Sequence, residues 1–378
     1  MSTEAEIGIG VVDRAEACAE HVAAAAQGHF LSGEFPAGAM ARLGAAGLFG
    51  MRIEEGYGGT GSTTLEYVQA LERIATADVT VALTLEVHIL ATEIHRMYAT
   101  PEQKARWLPG LASGEKLAGV AITEPEAGSD LRSISTTARP DGDSWVLDGR
   151  KTFITNVGTP LSDGLLVAAR TSGEGERPGF GVFMVPAGTP GFLPGERIRT
   201  LGWRSMDTRE VTFEGCRVPA DHILGSPGQG MRILGDGLSL GRVAFAAVSV
   251  GLAQACLDSA VAFAKKRVQF GQPISGFQAV QHKLADMAAD IAAARALTLH
   301  CAGLRDAGIP WESQASMAKL VASRTCVRAA DDAVQVFGGR GFVLDNDVAR
   351  YYADAKMMEI GEGTSEMQRN IIARSLGC

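Results

Sequence analysis

The chain has no cysteine or histidine pair at metal-binding spacing. Its six cysteines (Cys18, Cys216, Cys256, Cys301, Cys326 and Cys378) are scattered without a CxxC, and its seven histidines form no HxxxH or HExxH pair. No protein-bound catalytic metal is expected, and the thiols suit buried packing in a reducing compartment. Positive charge is also short: 35 basic against 43 acidic residues leave a net charge of −8. That balance argues against nucleic acid or an anionic membrane as main partner. Apolar runs such as Val22 to Ala26 are Ala-rich and far below the roughly 20 residues that span a bilayer. The start, MSTEAEIGIG, is acidic and lacks the basic and apolar parts of a secretory signal. Internal repeats and low-complexity linkers are missing too. A soluble, cytoplasmic protein with no membrane role is expected.

What is present reads as three segments. At 378 residues the chain is long enough for two or three domains, each with its own core. Up to about residue 115 it reads as helices with short breaks. Pro36 suits a first helical position, and Met40, Leu43 and Leu48 form a helical stripe. In TPEQKARWLPGL, Thr100, Pro101 and Gln103 mark a helix start with a capping box. Gly56, Gly58 and Gly61 have GxGxxG spacing, but no strand precedes them and a plain loop is expected. From Gly119 to about Gly230, short apolar runs such as LLVAAR (165–170), GVFMV (181–185) and REVTFE (209–214) alternate with Gly/Pro/Asp turns. These are antiparallel strand signals without intervening helices. Beyond Met231 the pattern is helical again, beginning with Val243 to Arg267, which is apolar on nearly all sides. The expected fold is α+β, mainly α: an N-terminal helical domain (1–118), a middle antiparallel β-barrel-like domain (119–229) and a C-terminal four-helix bundle (230–378).

Five stretches have residue types that suit chemistry. In MMEIGEGTSEMQRNIIAR (357–374), Glu362 lies between Gly361 and Gly363, just before a helix start near Thr364. Ser365 and Gln368 have capping-box spacing, and Met367, Ile371 and Ile372 are placed to face inward. A carboxylate on such a turn suits a base, although a surface turn explains this stretch equally well by itself. AITEPEAGSD (121–130) presents Thr123, Gly128 and Ser129 around a sharp turn suited to a polar ring edge or phosphate oxygens. In GRKTFITN (149–156), Phe153 suits stacking on a planar ring beside Thr155. In KKRVQFGQPISGFQ (265–278), Arg267 and Gln278 flank a Gly/Pro corner that contains Phe270. In QVFGGRGF (335–342), Gln335, Gly338 and Gly339 allow close backbone approach, or merely cap a helix.

In this order and spacing, from about Ala39 to Arg374, the five stretches strongly resemble the acyl-CoA dehydrogenase family of flavoproteins. The resemblance implies FAD held between the β domain and the bundle, in a homotetramer (a dimer of dimers) where a neighbouring subunit completes the site. It implies that Ile122, Thr123, Phe153, Ile154 and Thr155 contact the isoalloxazine ring, with Ser129 near flavin or CoA phosphates. Arg267, Phe270 and Gln278 would contact the adenine–diphosphate half, joined by Gln335, Gly338 and Gly339 from a partner subunit. Thr364 and Glu366 would bind flavin beside the base. Arg242, Ser239 and Gly363 would lie along the CoA thioester, Ser239 standing where some relatives have an Asp.

The implied reaction is α,β-dehydrogenation of an acyl-CoA in fatty acid metabolism. Glu362 removes the α-proton, the β-carbon passes a hydride to flavin N5, and electrons leave to an electron-transfer flavoprotein. A branch of the family carries its base immediately before the Arg on an earlier helix. Here that position is Gly241, which leaves Glu362 as the base. An apolar surround should raise its pKa towards neutrality. Gly361 replaces a frequent Tyr and is expected to remove an aromatic wall from the acyl pocket. Glu86 and His88 lie on a helix that lines this pocket in relatives, with packed or solvated positions expected for both. Three readings compete: a dehydrogenase of a carrier-protein-bound thioester, a flavin oxidase or monooxygenase, and a non-catalytic flavin-binding protein.

Overall fold

The computed structural model describes residues 10–171 and 179–378. The first nine residues, which carry the expectation about a secretory signal, lie outside this range. The first segment holds α1 (Val11–Ser32), α2 (Ala37–Ala45), α3 (Thr64–Ala77), α4 (Val79–Tyr98) and α5 (Pro101–Ala112). Its starts follow from side-chain capping. Thr100 and Gln103 form the expected reciprocal cap of α5, and Thr63 with Glu66 forms another on α3. The glycine-rich loop before α3 is needed for packing, since Gly59 backs directly onto the Ile53 carbonyl with no room for a side chain.

The middle segment is a single sheet of β1 (Leu117–Ala121), β2 (Thr137–Asp141), β3 (Ser144–Thr155), β4 (Ser162–Thr171), β5 (Gly179–Pro186), β6 (Phe192–Arg197), β7 (Thr208–Pro219) and β8 (Ile223–Leu224). The strand order is β6-β7-β3-β2-β4-β5-β8, with β1 also paired to β4. The antiparallel expectation needs correcting, because β1 and β2 both run parallel to β4. Alternating signals within a strand specify a half-buried face but not the direction of its neighbour.

The last segment contains α6 (Gly230–Lys266), a hairpin of β9 (Val268–Gln269) and β10 (Gln272–Pro273), α7 (Gln278–Asp306), α8 (Glu312–Phe337), α9 (Asp347–Ala355) and α10 (Ser365–Ser375). Helix α6 is long and apolar enough to cross a membrane, a longer apolar element than the short runs suggest, but 83% of its most apolar window is buried inside the protein. It packs against α3, α4, α7 and α8. The first and last segments therefore share one hydrophobic core, running from Val11 and Leu71 through Val248 to Ala322 and Met358. Among the described residues these two segments have no separate cores. A second core joins α4 and α5 to one face of the sheet, and a third fills the sheet's other side. Glycine permits the tightest helix contact: a Cβ at Gly251 would lie 2.5 Å from the Glu72 carbonyl on α3.

Candidate active site

The turn between α9 and α10 places Glu362 in the left-handed backbone region (φ 52°), followed by Gly363 at φ 92°. Such a conformation is costly for a carboxylate residue and persists only when neighbours hold it. They do. Lys319 on α8, fully buried, donates from Nζ to the Gly363 carbonyl at 2.8 Å. Gln368 on α10 donates to the carbonyls of Glu362 and Gly363 at 3.1 and 2.8 Å. The helix cap differs from expectation: the Thr364 hydroxyl, not Ser365, accepts from a backbone N–H, that of Met367. Gln368 is fully buried as the clamp of this turn, while Met367, Ile371 and Ile372 are only half-buried.

Although Glu362 as a residue is half-buried, its Oε2 is enclosed and has no hydrogen-bond partner. Burial pushes the carboxyl up to about 7, with Arg242 and Lys319 pulling the other way. The carboxylate sits directly over Gly241, where a Cβ would come 2.5 Å from Oε2. Position 241 and position 362 thus reach the same spot, and only one of them has space for a side chain. Arg242, next along α6, donates to Ser239 Oγ at 3.3 Å, while Ser239 itself donates to the Gly235 carbonyl.

The expected loss of an aromatic wall at Gly361 needs correcting. A Cβ there would meet the Phe245 ring of α6 at 2.6 Å, so an aromatic side chain from another element already occupies the space. Glu86 and His88 differ from each other. His88 is buried and accepts from the Ala118 N–H at 3.1 Å, whereas Glu86 is fully buried with neither oxygen paired.

A second group forms where β1 exits towards β3. Lys151, fully buried, donates to the Ile122 carbonyl and to Glu124 Oε1, both at 2.9 Å. Glu124 also accepts from the backbone of Ser135 and Thr136. The Thr123 carbonyl accepts from the Thr152 N–H at 2.9 Å. Pairing of β3 with β7 is interrupted between Lys151 and Ile154. That bulge turns Phe153 out at φ 59°, leaving its ring 58% exposed, while Ile154 and Thr155 are buried. Ser129 is exposed beside this turn in the chain. Asn156 then donates to the carbonyls of Thr84 and Ala118, tying this region to α4 two residues before Glu86. An exposed aromatic ring beside fixed backbone polar groups fits a planar conjugated cofactor such as flavin.

The third group lies elsewhere. Arg267 ends α6, and Phe270 with Gly271 forms a turn of two positive φ angles at the hairpin tip, leaving Phe270 94% exposed. Gln278, Gln335, Gly338 and Gly339 are also exposed, Gly338 ending α8 at φ 59°. A cleft of about 650 Å³ joins Arg267 to Phe337 and Arg340. Twenty-five helical residues separate Arg242 from Arg267, or about 38 Å at 1.5 Å per residue. Within one chain these two arginines serve different places. Glu366 is exposed on the first turn of α10.

Lys319, Lys151, Phe245, Asn156 and Tyr67 carry no sequence expectation. For Lys319 a signal existed: it is a single cation in an otherwise apolar run, AKLVA, whereas Lys151 follows Arg150 directly and does not stand out.

Comparison with known proteins bears on the whole chain. Residues 13–115, 119–216 and 228–377 match the N-terminal, middle and C-terminal domain models of acyl-CoA dehydrogenase. An acyl-CoA dehydrogenase of Bacillus subtilis (strain 168) is 41% identical over 91% of this chain and 90% of its own length. The human short-chain specific mitochondrial acyl-CoA dehydrogenase is 40% identical over 90% of this chain and 83% of its own. The solved structure of butyryl-CoA dehydrogenase from Megasphaera elsdenii superposes with a TM-score of 0.94 at 35% identity, covering 100% of this chain and 99% of that one.

Proposed function

The chain belongs to the acyl-CoA dehydrogenase family, and on that premise we propose that it dehydrogenates an acyl-CoA thioester across the α,β bond with Glu362 as base. The observation that carries this reading is the enclosed, unpaired Oε2 of Glu362 over Gly241. A base must lose solvent to gain proton affinity, and burial supplies that. Among the described residues the Glu362 N–H donates to no acceptor, which leaves it free to polarise the thioester carbonyl. One such donor is typically worth about 10²–10³ in rate. Lys319 and Gln368 hold the turn so that the carboxylate and this N–H keep a fixed relation.

FAD is the cofactor, and when bound it supplies the acceptor for the β-hydride. Ile122, Thr123, Ser129, Phe153, Ile154 and Thr155 hold its ring side, with Thr364 and Glu366 near the base; Ser239, Arg242 and Gly363 line the thioester. Arg267, Phe270 and Gln278 contact the adenine–diphosphate half, joined by Gln335, Gly338 and Gly339 from a partner subunit. The roughly 38 Å along α6 between Arg242 and Arg267 supports a place for the first three that is remote from the base. The enzyme is a tetramer of three-domain subunits (1–118, 119–229 and 230–378). It works in the cytoplasm in fatty acid metabolism and passes electrons to an electron-transfer flavoprotein.

Anaerobic titration of the yellow holoenzyme with saturated acyl-CoAs of increasing length tests this. Bleaching of the flavin band by at least one of them is expected; no bleaching by any would overturn the reading. Glu362→Gln should retain FAD and lose reduction by more than about 10²-fold. Substantial remaining activity would remove Glu362 from its role.

A further inference from the structure

Resting on the placement of FAD proposed above, a buried lysine outside the proton chemistry acquires a role. Two lysines are fully buried among the described residues, Lys151 and Lys319. Lys319 holds the base turn. Lys151, on β3, pairs with Glu124 at 2.9 Å, and the Glu124 carboxylate also accepts from the Ser135 N–H and hydroxyl and from the Thr136 N–H. Four donors fill it. A buried ion pair loses about as much in desolvation as it gains in attraction, and apolar side chains of similar volume often serve stability as well. Stability alone does not account for this lysine.

Its other contact is a backbone carbonyl. Strand β1 leaves its partner β4 after Ala121, the last residue in register with that strand. Beyond it Ile122 and Thr123 are half-buried and lie outside the sheet ladder. Their carbonyls are bound from β3, that of Ile122 by Lys151 Nζ and that of Thr123 by the Thr152 N–H, both at 2.9 Å. The Ile122 carbonyl and the Thr123 N–H belong to one planar trans peptide unit and point in opposite directions. Fixing the first aims the second. Among the described residues that N–H donates to no backbone acceptor, so it stands as an open donor on the side away from Lys151. Two residues after Lys151 the bulge turns the Phe153 ring outward. One short stretch of β3 therefore sets both the aromatic face and the direction of this donor.

We propose that Lys151 is a positioning residue for the flavin: through the Ile122 carbonyl it aims the Thr123 N–H at the isoalloxazine ring. A donor there is worth more to the electron-rich reduced ring than to the oxidised one, because hydrogen bonds to charged acceptors are the stronger kind.

The test uses two variants and one measurement on the wild type. Lys151→Met leaves Glu124 buried without its cation and should lower both thermal stability and FAD affinity. Lys151→Met/Glu124→Gln removes both charges, so the net charge of the pair is unchanged while the Ile122 carbonyl still lacks its donor. Thermal stability of the double variant should return towards that of the wild type. Its FAD dissociation constant should stay raised by about tenfold, the worth of one hydrogen bond. Its flavin midpoint potential, read by anaerobic dye equilibration, should stay more negative than that of the wild type. Wild-type FAD affinity and potential in the double variant would overturn the proposal, as would affinity lost only in step with thermal stability. Hydrogen exchange of the wild type, resolved to single amides, needs no variant. FAD should slow exchange of the Thr123 N–H by about tenfold or more, and an unchanged rate would remove the aim assigned to it. If acyl-CoAs bleach the flavin while these results fail, the positioning role falls alone. If none bleaches it while the double variant behaves as expected, the dehydrogenase reading falls and Lys151 keeps its role.

Discussion

At the scale of single residues, the site depends on what two glycines leave open. Gly241 leaves room for the Glu362 carboxylate, and adding one methyl group puts a carbon 2.5 Å from Oε2. Gly241→Ala should displace the base by about an ångström, a misplacement worth on the order of 10²-fold in rate. Stopped-flow flavin reduction should show that loss while FAD content stays normal. The pH behaviour has a definite sign. Proton abstraction needs the carboxylate, so kcat/KM should fall as pH drops below about 7 and level off above it. Lys319 holds that value down by its charge. Lys319→Met should move the midpoint of the kcat/KM profile above 7, leaving a slower enzyme at neutral pH that recovers in alkali. Glu362 was singled out only by the order of the five stretches and the resemblance they carry, since its own turn suits a surface position equally well. Phe245 was not. It stands 116 positions before Gly361, and nothing in a linear pattern says that its ring fills the space a Tyr would take.

At the scale of elements, legibility followed the physics of each. Helices with apolar stripes and Thr caps were readable, since both signals are local. The strands were readable and most pair antiparallel as expected, but the parallel pairing of β1 and β2 with β4 was not, because a strand's own pattern does not name its neighbour. Phe270, expected within the Gly/Pro corner, stands 94% exposed at the tip of the hairpin β9–β10. An exposed aromatic on a strained turn is costly without a partner. Phe270→Ala should leave the thermal stability of the apoprotein nearly unchanged. It should weaken FAD retention by roughly tenfold, read as flavin released on gel filtration; retention at the wild-type level would mean that the tip meets no flavin.

At the scale of the molecule, buried charges hold the three segments together. Asp354 on α9 accepts from the Trp203 N–H of the sheet segment at 2.6 Å, and its surroundings include Arg350 and Asp78. Burial raises the Asp354 carboxyl to about 7 from its ordinary 3.8. A raised folded pKa means that its proton stabilises the fold fully below about 4, and that this contribution is lost as pH rises to about 7. Asp354→Asn removes the dependence. Its stability relative to the wild type should improve steadily between those pH values and then level off, each pKa unit being worth about 1.4 kcal/mol. Denaturant titrations of both proteins across that range measure the difference. The common core of first and last segments was not legible, since amphipathic patterns indicate that a face is buried but not against which helix.

Helix α6 also has a consequence for how the protein is made. Its apolar surface is covered partly by α3 and α4, which precede it, and most extensively by α8, which follows. The chain from Lys266 to the end of α8 at Phe337 is 71 residues. At about 5–20 residues per second of synthesis, the helix waits roughly 4–14 s for its last cover. During that interval a segment apolar enough to enter a bilayer is exposed at the ribosome. Docking onto α3 and α4, which are made first, would cover part of that surface before α8 arrives.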